Sequence, residues 1–149
     1  MKKPIAVCLT DTHATSNNLK LQESIWCQAI DLAKEMGVDR IFHLGDWVTV
    51  RKAQSLEVLK HLSWIKDSIY KNNLNLIGIS GNHDLTSQED IFSYPTLLDD
   101  DYFQVIDESY QYSITGDVVI WLLAYFPEQG SYRGRVEDIS RKLDKSKKN

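Results

Sequence analysis

The chain has 149 residues and a mass of 17.2 kDa, the size of a single domain. Its composition, 42% hydrophobic and 26% charged, provides enough apolar surface to bury a core. Its 17 basic and 21 acidic residues give a net charge of −4, which excludes a polycation that coats nucleic acid but allows a local basic groove. Without a long apolar run or a signal-peptide cleavage site, we expect a cytoplasmic protein with no membrane association.

The first part of the chain predicts a strand followed by a helix. Residues 4–10 are apolar and partly β-branched, which predicts a buried strand that stops at Asp11. Helical spacing of apolar residues then runs from Leu19 to Met36, with Ser16 or Asn17 as the expected N-cap and Gly37 at the C-terminus. The residues predicted on its buried face are Leu21, Ile25, Ala29, Leu32, Ala33 and Met36.

The same unit recurs along the chain. The pattern predicts a strand over 39–44, a helix over roughly 52–72 and a strand over 74–80. The predicted buried face of this second helix consists of Leu56, Leu59, Leu62, Ile65 and Ile69. Strands alternating with helices through short connections predict right-handed crossovers. We therefore expect an α/β fold with a parallel βαβαβ core.

Beyond residue 84 the alternation ends. The pattern there predicts strands at 103–107, 110–115 and 118–125, a loop over 127–134 and a helix over 135–144. Gly116-Asp117 is expected to form the hairpin turn between the last two strands.

Several reactive or aromatic side chains are predicted to have structural roles. Cys8 and Cys27 are expected to be buried, reduced thiols, because a cytosolic chain rarely forms disulfides. The position of His43 within a predicted strand favours a packed, hydrogen-bonded histidine in the core. His61 is predicted to be a surface or packing residue. Trp47 is expected in the core, with a position beside the substrate as the alternative.

Three polar clusters each follow a predicted strand: Asp11-Thr12-His13, Gly45-Asp46 and Gly81-Asn82-His83-Asp84. The carboxyl ends of parallel strands share one sheet edge, so we expect these clusters to meet. Their mixed oxygen and nitrogen donors suit Mn, Fe or Zn. A carboxylate on the middle connection is placed to bridge two ions, which together clamp a phosphate and activate a water. Asp84 is expected to hold the turn or support a ligand.

This series resembles the calcineurin-like metallophosphoesterase superfamily over roughly residues 4–84. The resemblance implies a four-layer α/β/β/α sandwich and two divalent metal ions, with Mn foremost and Fe or Zn as alternatives. It assigns Asp11, His13 and Asp46 to one ion, and Asp46 and Asn82 to the other. It also implies that His83 contacts the phosphate and protonates the leaving group. The implied activity is metal-dependent phosphoester hydrolysis.

Within the superfamily, the segment from Gly45 to Lys52 looks most like DNA-repair exonuclease subunits of the SbcD type and their phage relatives. This likeness makes a DNA exonuclease-like phosphodiesterase the leading subclass, ahead of a small-molecule or protein phosphatase. Arg51 is a candidate to grip the substrate phosphate, with a solvated loop arginine as the alternative. Thr49 stands where the protein phosphatases carry an aspartate that orients the catalytic histidine.

Three further histidines of the superfamily have no counterpart in this chain. Its four histidines are at 13, 43, 61 and 83, so the second ion site is incomplete here. We therefore expect residues 1–149 to form a single, incomplete metallophosphoesterase domain. Three explanations stay open: the N-terminal piece of a longer enzyme, one half of an enzyme completed by a partner chain, or a metal-deficient, non-catalytic interaction module.

Overall fold

A computed structural model describes residues 3–87, 93–115, 118–125 and 132–143. The elements are β1 (Val7–Leu9), α1 (Leu19–Met36), β2 (Arg40–His43), α2 (Leu56–Lys71), β3 (Asn75–Ile79), a short 3-10 helix (Pro95–Leu98), β4 (Phe103–Ile106), β5 (Ser109–Thr115), β6 (Val118–Leu123) and α3 (Tyr132–Lys142). Within these ranges, none of the helices combines the length and the apolar character needed to cross a bilayer.

The first four strands form one parallel sheet in the order β1-β2-β3-β4. Its register aligns Val7 with Ile41, Ile41 with Leu76, and Leu76 with Phe103. The predicted α/β class and the parallel βαβαβ core are therefore confirmed. The addition of β4 as a fourth parallel strand was not part of the prediction.

Alternate residues of the parallel sheet face two separate cores. Ile41 and Leu76 are fully buried in the core that includes the residues of α1 and α2. Phe42 and Ile77 point to the opposite face, where they pack with Leu122 of the antiparallel ribbon β5–β6. The Phe42 and Tyr112 rings meet edge to face at 5.7 Å. Helices α1 and α2, the parallel sheet and the ribbon thus form three layers, as in part of the sandwich that the resemblance implies.

The buried face of α1 differs from the prediction. It consists of Gln22, Trp26, Ala29, Ile30 and Ala33, whereas Leu21, Leu32 and Met36 are exposed. Trp26, which the predicted face omitted, is fully buried and stacks with Trp47 at 5.9 Å, and Gln22 on the same face donates a hydrogen bond to the Thr12 carbonyl. The N-cap is Asn18 rather than Ser16 or Asn17, and Gly37 ends the helix at a φ of 65°, as expected.

Helix α2 begins at Leu56 rather than near residue 52, because the Ser55 hydroxyl accepts the Val58 amide and caps the helix there. Leu56 is consequently exposed at the first turn. Helix α3 begins at Tyr132, so the last residues of the predicted loop are helical. The rest of that loop and the Gly116-Asp117 turn lie outside the described residues.

The two cysteines are free, as predicted, but both are exposed. Cys8 shares the sheet face of Phe42, its partner in register. The ribbon covers Phe42 and leaves Cys8 on the edge strand exposed. Cys27 lies on the outer face of α1, beside the buried Trp26. The prediction that these thiols are buried is wrong.

Candidate metal centre

The loops that follow β1 and β2 run side by side beyond the ends of their strands. The Asp11 amide donates to the Gly45 carbonyl over 3.1 Å, and the His13 amide donates to the Asp46 carbonyl over 3.0 Å. The Ala14 amide continues this ladder to the Trp47 carbonyl over 2.8 Å. These backbone bonds place the first two polar clusters opposite each other at one sheet edge.

Three of the predicted ligands converge there. Asp11, His13 and Asp46 each offer one ligand atom, and these atoms lie within 4.8 Å of one another. The His13 Nε2 atom is 3.6 Å from Asp11 Oδ1 and 3.7 Å from Asp46 Oδ2. Ligands about 2.1 Å from one tetrahedral ion lie roughly 3.4 Å apart. The donor set and its spacing therefore fit a divalent metal ion.

The backbone is strained at the same three residues. Asp11, His13 and Asp46 have φ angles of 52°, 50° and 57°, in the left-handed region that non-glycine residues rarely adopt. Each such residue costs on the order of 1 kcal/mol. In the part of the chain that the structure describes, Asn73 is the one other non-glycine residue with positive φ. Concentrated strain of this kind is typical of functional sites.

Asp84 joins the loops that follow β2 and β3, here called the second and third loops, by accepting hydrogen bonds from both. Its Oδ2 accepts the amides of Asp46 and Gly81, over 2.9 and 2.7 Å. Its Oδ1 accepts the amides of Trp47 and Val48, over 2.8 and 3.1 Å. The side chain is fully buried, and burial raises its pKa to about 7 against the opposing effect of these amides. Asp84, predicted to hold the turn or support a ligand, thus forms a clamp of four hydrogen bonds.

Glycines let the second and third loops approach closely. A Cβ atom on Gly81 would lie 2.1 Å from Asp46 Oδ1 and 2.3 Å from the Asp46 amide nitrogen. Gly45 has a φ of 94°, and its own Cβ would lie 3.0 Å from the Gly81 backbone. Larger residues at either position would push Asp46 away from the other ligands.

His83 lies directly beside the three converging ligands. Its ring meets the His13 ring edge to face at 5.0 Å, and its backbone amide donates to Asp46 Oδ1 over 3.1 Å. The His83 Nδ1 atom lies 2.9 Å from the Thr49 carbonyl oxygen. Because a carbonyl only accepts, Nδ1 carries the proton and Nε2 is left to exchange one. The Thr49 carbonyl thus fixes the orientation of the His83 ring.

Asn82 and Arg51 meet on the other side of Asp46. With the Asn82 amide nitrogen toward Asp46, it donates to Oδ1 over 3.3 Å. The Asn82 amide oxygen then accepts from Arg51 Nη2 over 2.5 Å. The structure therefore brings together all the residues predicted for the site: Asp11, His13, Asp46, Arg51, Asn82 and His83.

A cleft of about 180 Å³ opens on the Asn82 side, and its lining includes Asp11, Asp46, Ser80, Asn82, Tyr125 and Tyr132. The two tyrosines were not among the residues predicted for the site. Tyr125 follows β6, and its amide donates to the Ser80 carbonyl over 2.8 Å, which places it over the end of β3. The rule that ligands gather at the carboxyl ends of parallel strands gives no signal for Tyr125, which follows an antiparallel ribbon, or for Tyr132, the first residue of α3.

The remaining histidines and Trp47 lie in the core. His43 is fully buried, stacks on Trp47 at 3.8 Å, and has its Nε2 atom 3.0 Å from the Thr12 hydroxyl. Burial lowers the pKa of His43 to about 3. His61 is buried against Trp64, so it packs rather than binds. Trp47 is fully buried and does not flank the cleft. The core assignments of His43 and Trp47 are confirmed.

No protein-family model and no curated protein sequence matches the chain. Among solved structures, the chain is similar to the crystal structure of Pseudomonas putida nuclease MPE, with a TM-score of 0.46 and 22% sequence identity. The alignment covers 70% of this chain and 48% of that one, so the chain spans about half the length of this nuclease. The functional case accordingly rests on the geometry of the site.

Proposed function

We propose that this chain is a metal-dependent phosphoester hydrolase of the calcineurin-like type. One observation carries the proposal: Asp11, His13 and Asp46, from two adjacent loops, place their ligand atoms within 4.8 Å of one another. All three residues hold a strained backbone conformation to do so. Strain retained at three converging donors is expected where ligand placement serves a function.

Two divalent ions fit this proposal. Asp11, His13 and Asp46 would hold the first, and Asp46 and Asn82 would contribute to the second. The donors are carboxylates, an imidazole and an amide, for which Mn is the leading candidate and Fe or Zn the alternatives. Such ions supply charge neutralisation on the phosphate and a reactive water at neutral pH. The remaining ligands of the second site would come from a C-terminal continuation or from a partner chain.

The protein side chains have separate roles in this proposal. His83 acts as the general acid in its imidazolium form: the Nδ1 proton is held by the Thr49 carbonyl, and the second proton, on Nε2, passes to the departing oxygen and leaves the ring neutral. Arg51 and Asn82 bind the phosphate, with Arg51 supplying two parallel donors. The cleft beside Asp46 and Asn82 receives the substrate.

The leading substrate is DNA, cleaved in the manner of an exonuclease-like phosphodiesterase. This choice is supported by the likeness of the segment from Gly45 to Lys52 to exonuclease subunits of the SbcD type. A small-molecule or protein phosphatase is the alternative enzyme. Simple substrates distinguish the nuclease from the phosphatase, because a phosphatase requires a monoester and a nuclease requires a diester.

The test is hydrolysis with Mn²⁺ of p-nitrophenyl phosphate, its bis ester, and single- and double-stranded DNA. In an enzyme whose second ion site is complete, we expect cleavage of the diesters, and His83→Gln should slow it roughly 10²–10⁴-fold while Mn²⁺ affinity is kept. The control is His61→Gln, the same change in a histidine outside the site, with folding of both variants checked by circular dichroism.

Each contradicting result points to a different correction. Cleavage of the monoester alone would mean that the enzyme is a phosphatase rather than a nuclease. Loss of Mn²⁺ in His83→Gln would make His83 a ligand rather than the acid. Bound Mn²⁺ without hydrolysis of any substrate would contradict the activity of this chain and favour the non-catalytic interaction module.

A further inference from the structure

The Asn82 amide has two neighbours of opposite character. Its two ends lie 3.3 Å from Asp46 Oδ1 and 2.5 Å from Arg51 Nη2. With nitrogen toward the carboxylate and oxygen toward the guanidinium, both contacts are hydrogen bonds. In the reverse orientation, oxygen faces oxygen and two N–H donors face each other. The first orientation is therefore the stable one when Asp46 and Asn82 hold no cation between them.

A cation shared by Asp46 and Asn82 needs the reverse orientation, because only the amide oxygen is a metal ligand. Two oxygen ligands at right angles around one ion lie about 3 Å apart, so the 3.3 Å separation suits the turned amide. Turning the amide would bring its nitrogen against Arg51 Nη2. The guanidinium must then leave, and repulsion by the incoming cation acts in the same direction.

The backbone at Arg51 is held in place while this happens. The Tyr94 hydroxyl donates to the Arg51 carbonyl over 2.8 Å. Two residues earlier, the Thr49 carbonyl accepts from His83, and the Thr49 hydroxyl donates to the His13 carbonyl over 3.0 Å. A displaced Arg51 therefore pivots about a fixed main chain, beside the cleft that receives the phosphate.

We propose that Arg51 and the second cation compete for the Asn82 amide, so that binding of the cation releases the guanidinium to bind the substrate phosphate. This inference rests on the proposed function, since it takes Asp46 and Asn82 as ligands of the second ion. Without the second cation, the Arg51 guanidinium is hydrogen-bonded to the Asn82 oxygen that the ion needs. With the cation bound, the guanidinium is released to bind the substrate phosphate. We call this competition the Arg51 gate.

Isothermal titration with Mn²⁺ alone tests this proposal. Replacing Arg51 by Met removes the competitor, so Arg51→Met should tighten the second, weaker binding event by about 10-fold and leave the first within about two-fold. The matched control is Lys52→Met, which removes the same charge from the next, exposed residue. Both Mn²⁺ affinities of Lys52→Met should stay within about two-fold of wild type.

The outcomes separate this proposal from the proposed function. If Arg51→Met leaves the second affinity unchanged, or if Lys52→Met shifts it as much, the competition is overturned while the metal centre stands. If the wild type binds one ion, Arg51→Met must gain a second, and failure to do so overturns the gate. Absence of any Mn²⁺ binding in all proteins overturns the proposed function and the gate together.

Discussion

The two halves of the candidate metal centre differ in what must change before an ion binds. Asp11, His13 and Asp46 already present their ligand atoms within 4.8 Å of one another. Asn82, in contrast, can hydrogen-bond to both Asp46 and Arg51 only with its amide oxygen toward the guanidinium, and this is the oxygen that a cation would need. The first half is a formed donor set, and the second half is a donor pair in a competing hydrogen bond.

This difference follows from the kind of bond that holds each half. Backbone hydrogen bonds between the first two loops and the Asp84 clamp fix the first half. The second half depends on one amide orientation and one flexible arginine side chain. Geometry fixed by the main chain resists change, whereas a side-chain orientation is reversed at low cost. We therefore expect the two ions to bind with unequal affinity.

The largest expected effect on stability and metal affinity comes from Asp84, which clamps four backbone amides. Asp84→Asn replaces one acceptor oxygen by a donor, so two of the four backbone amides would face an N–H group. We expect the free energy of unfolding to fall by about 3 kcal/mol and the affinity of the first ion to fall roughly 10–100-fold. Urea denaturation and Mn²⁺ titration measure the two effects.

Asp67→Asn is the matched control for the clamp, because it makes the same chemical change at an exposed position of α2. It should alter stability by less than about 0.5 kcal/mol. Equal stability of Asp84→Asn and wild type would contradict the clamp, and so would a first-ion affinity that Asp84→Asn leaves intact.

A smaller effect on stability comes from His43. Its ring contacts the hydroxyl of Thr12, the residue between the first-half ligands Asp11 and His13. Its pKa is about 3 in the folded state because of burial, against about 6.5 when unfolded. Between these values the unfolded chain binds a proton that the folded one excludes, so stability falls as the pH drops below about 6.5. At about pH 5 this contribution has removed about 2 kcal/mol.

Urea denaturation of wild type and His43→Phe across this pH range isolates that contribution, because His61 and Asp84 titrate in both proteins. The phenylalanine keeps a planar ring beside Trp47 and cannot bind the proton. The loss of stability between about pH 7 and about pH 5 should be smaller in the variant by about 2 kcal/mol. The same pH dependence in both proteins would contradict a buried, neutral His43.

The convergence of the three loops was predictable because it follows from topology. Polar clusters after successive parallel strands must meet at one sheet edge, whatever their detailed conformation. The positive φ angles of Asp11, His13 and Asp46 were not predictable in this way. They depend on how each loop turns against its neighbour, which the hydrophobic pattern does not encode.

Other features depend on tertiary contacts between side chains. The predicted buried face of α1 included Leu21 and Leu32, whereas both are exposed and Trp26 packs in the core instead. The contact between Arg51 and Asn82 likewise joins two loops distant in sequence. Hydrophobic spacing does not predict either, because both depend on tertiary contacts that only folding brings together.

The most direct test of the account is Mn²⁺ titration of the wild type beside Asp46→Asn. Asp46 lies between both halves, so the account predicts that wild type binds Mn²⁺ and that Asp46→Asn loses all measurable binding while remaining folded by circular dichroism. Unchanged Mn²⁺ binding in Asp46→Asn would contradict the central claim that this carboxylate is the shared ligand of a two-ion centre.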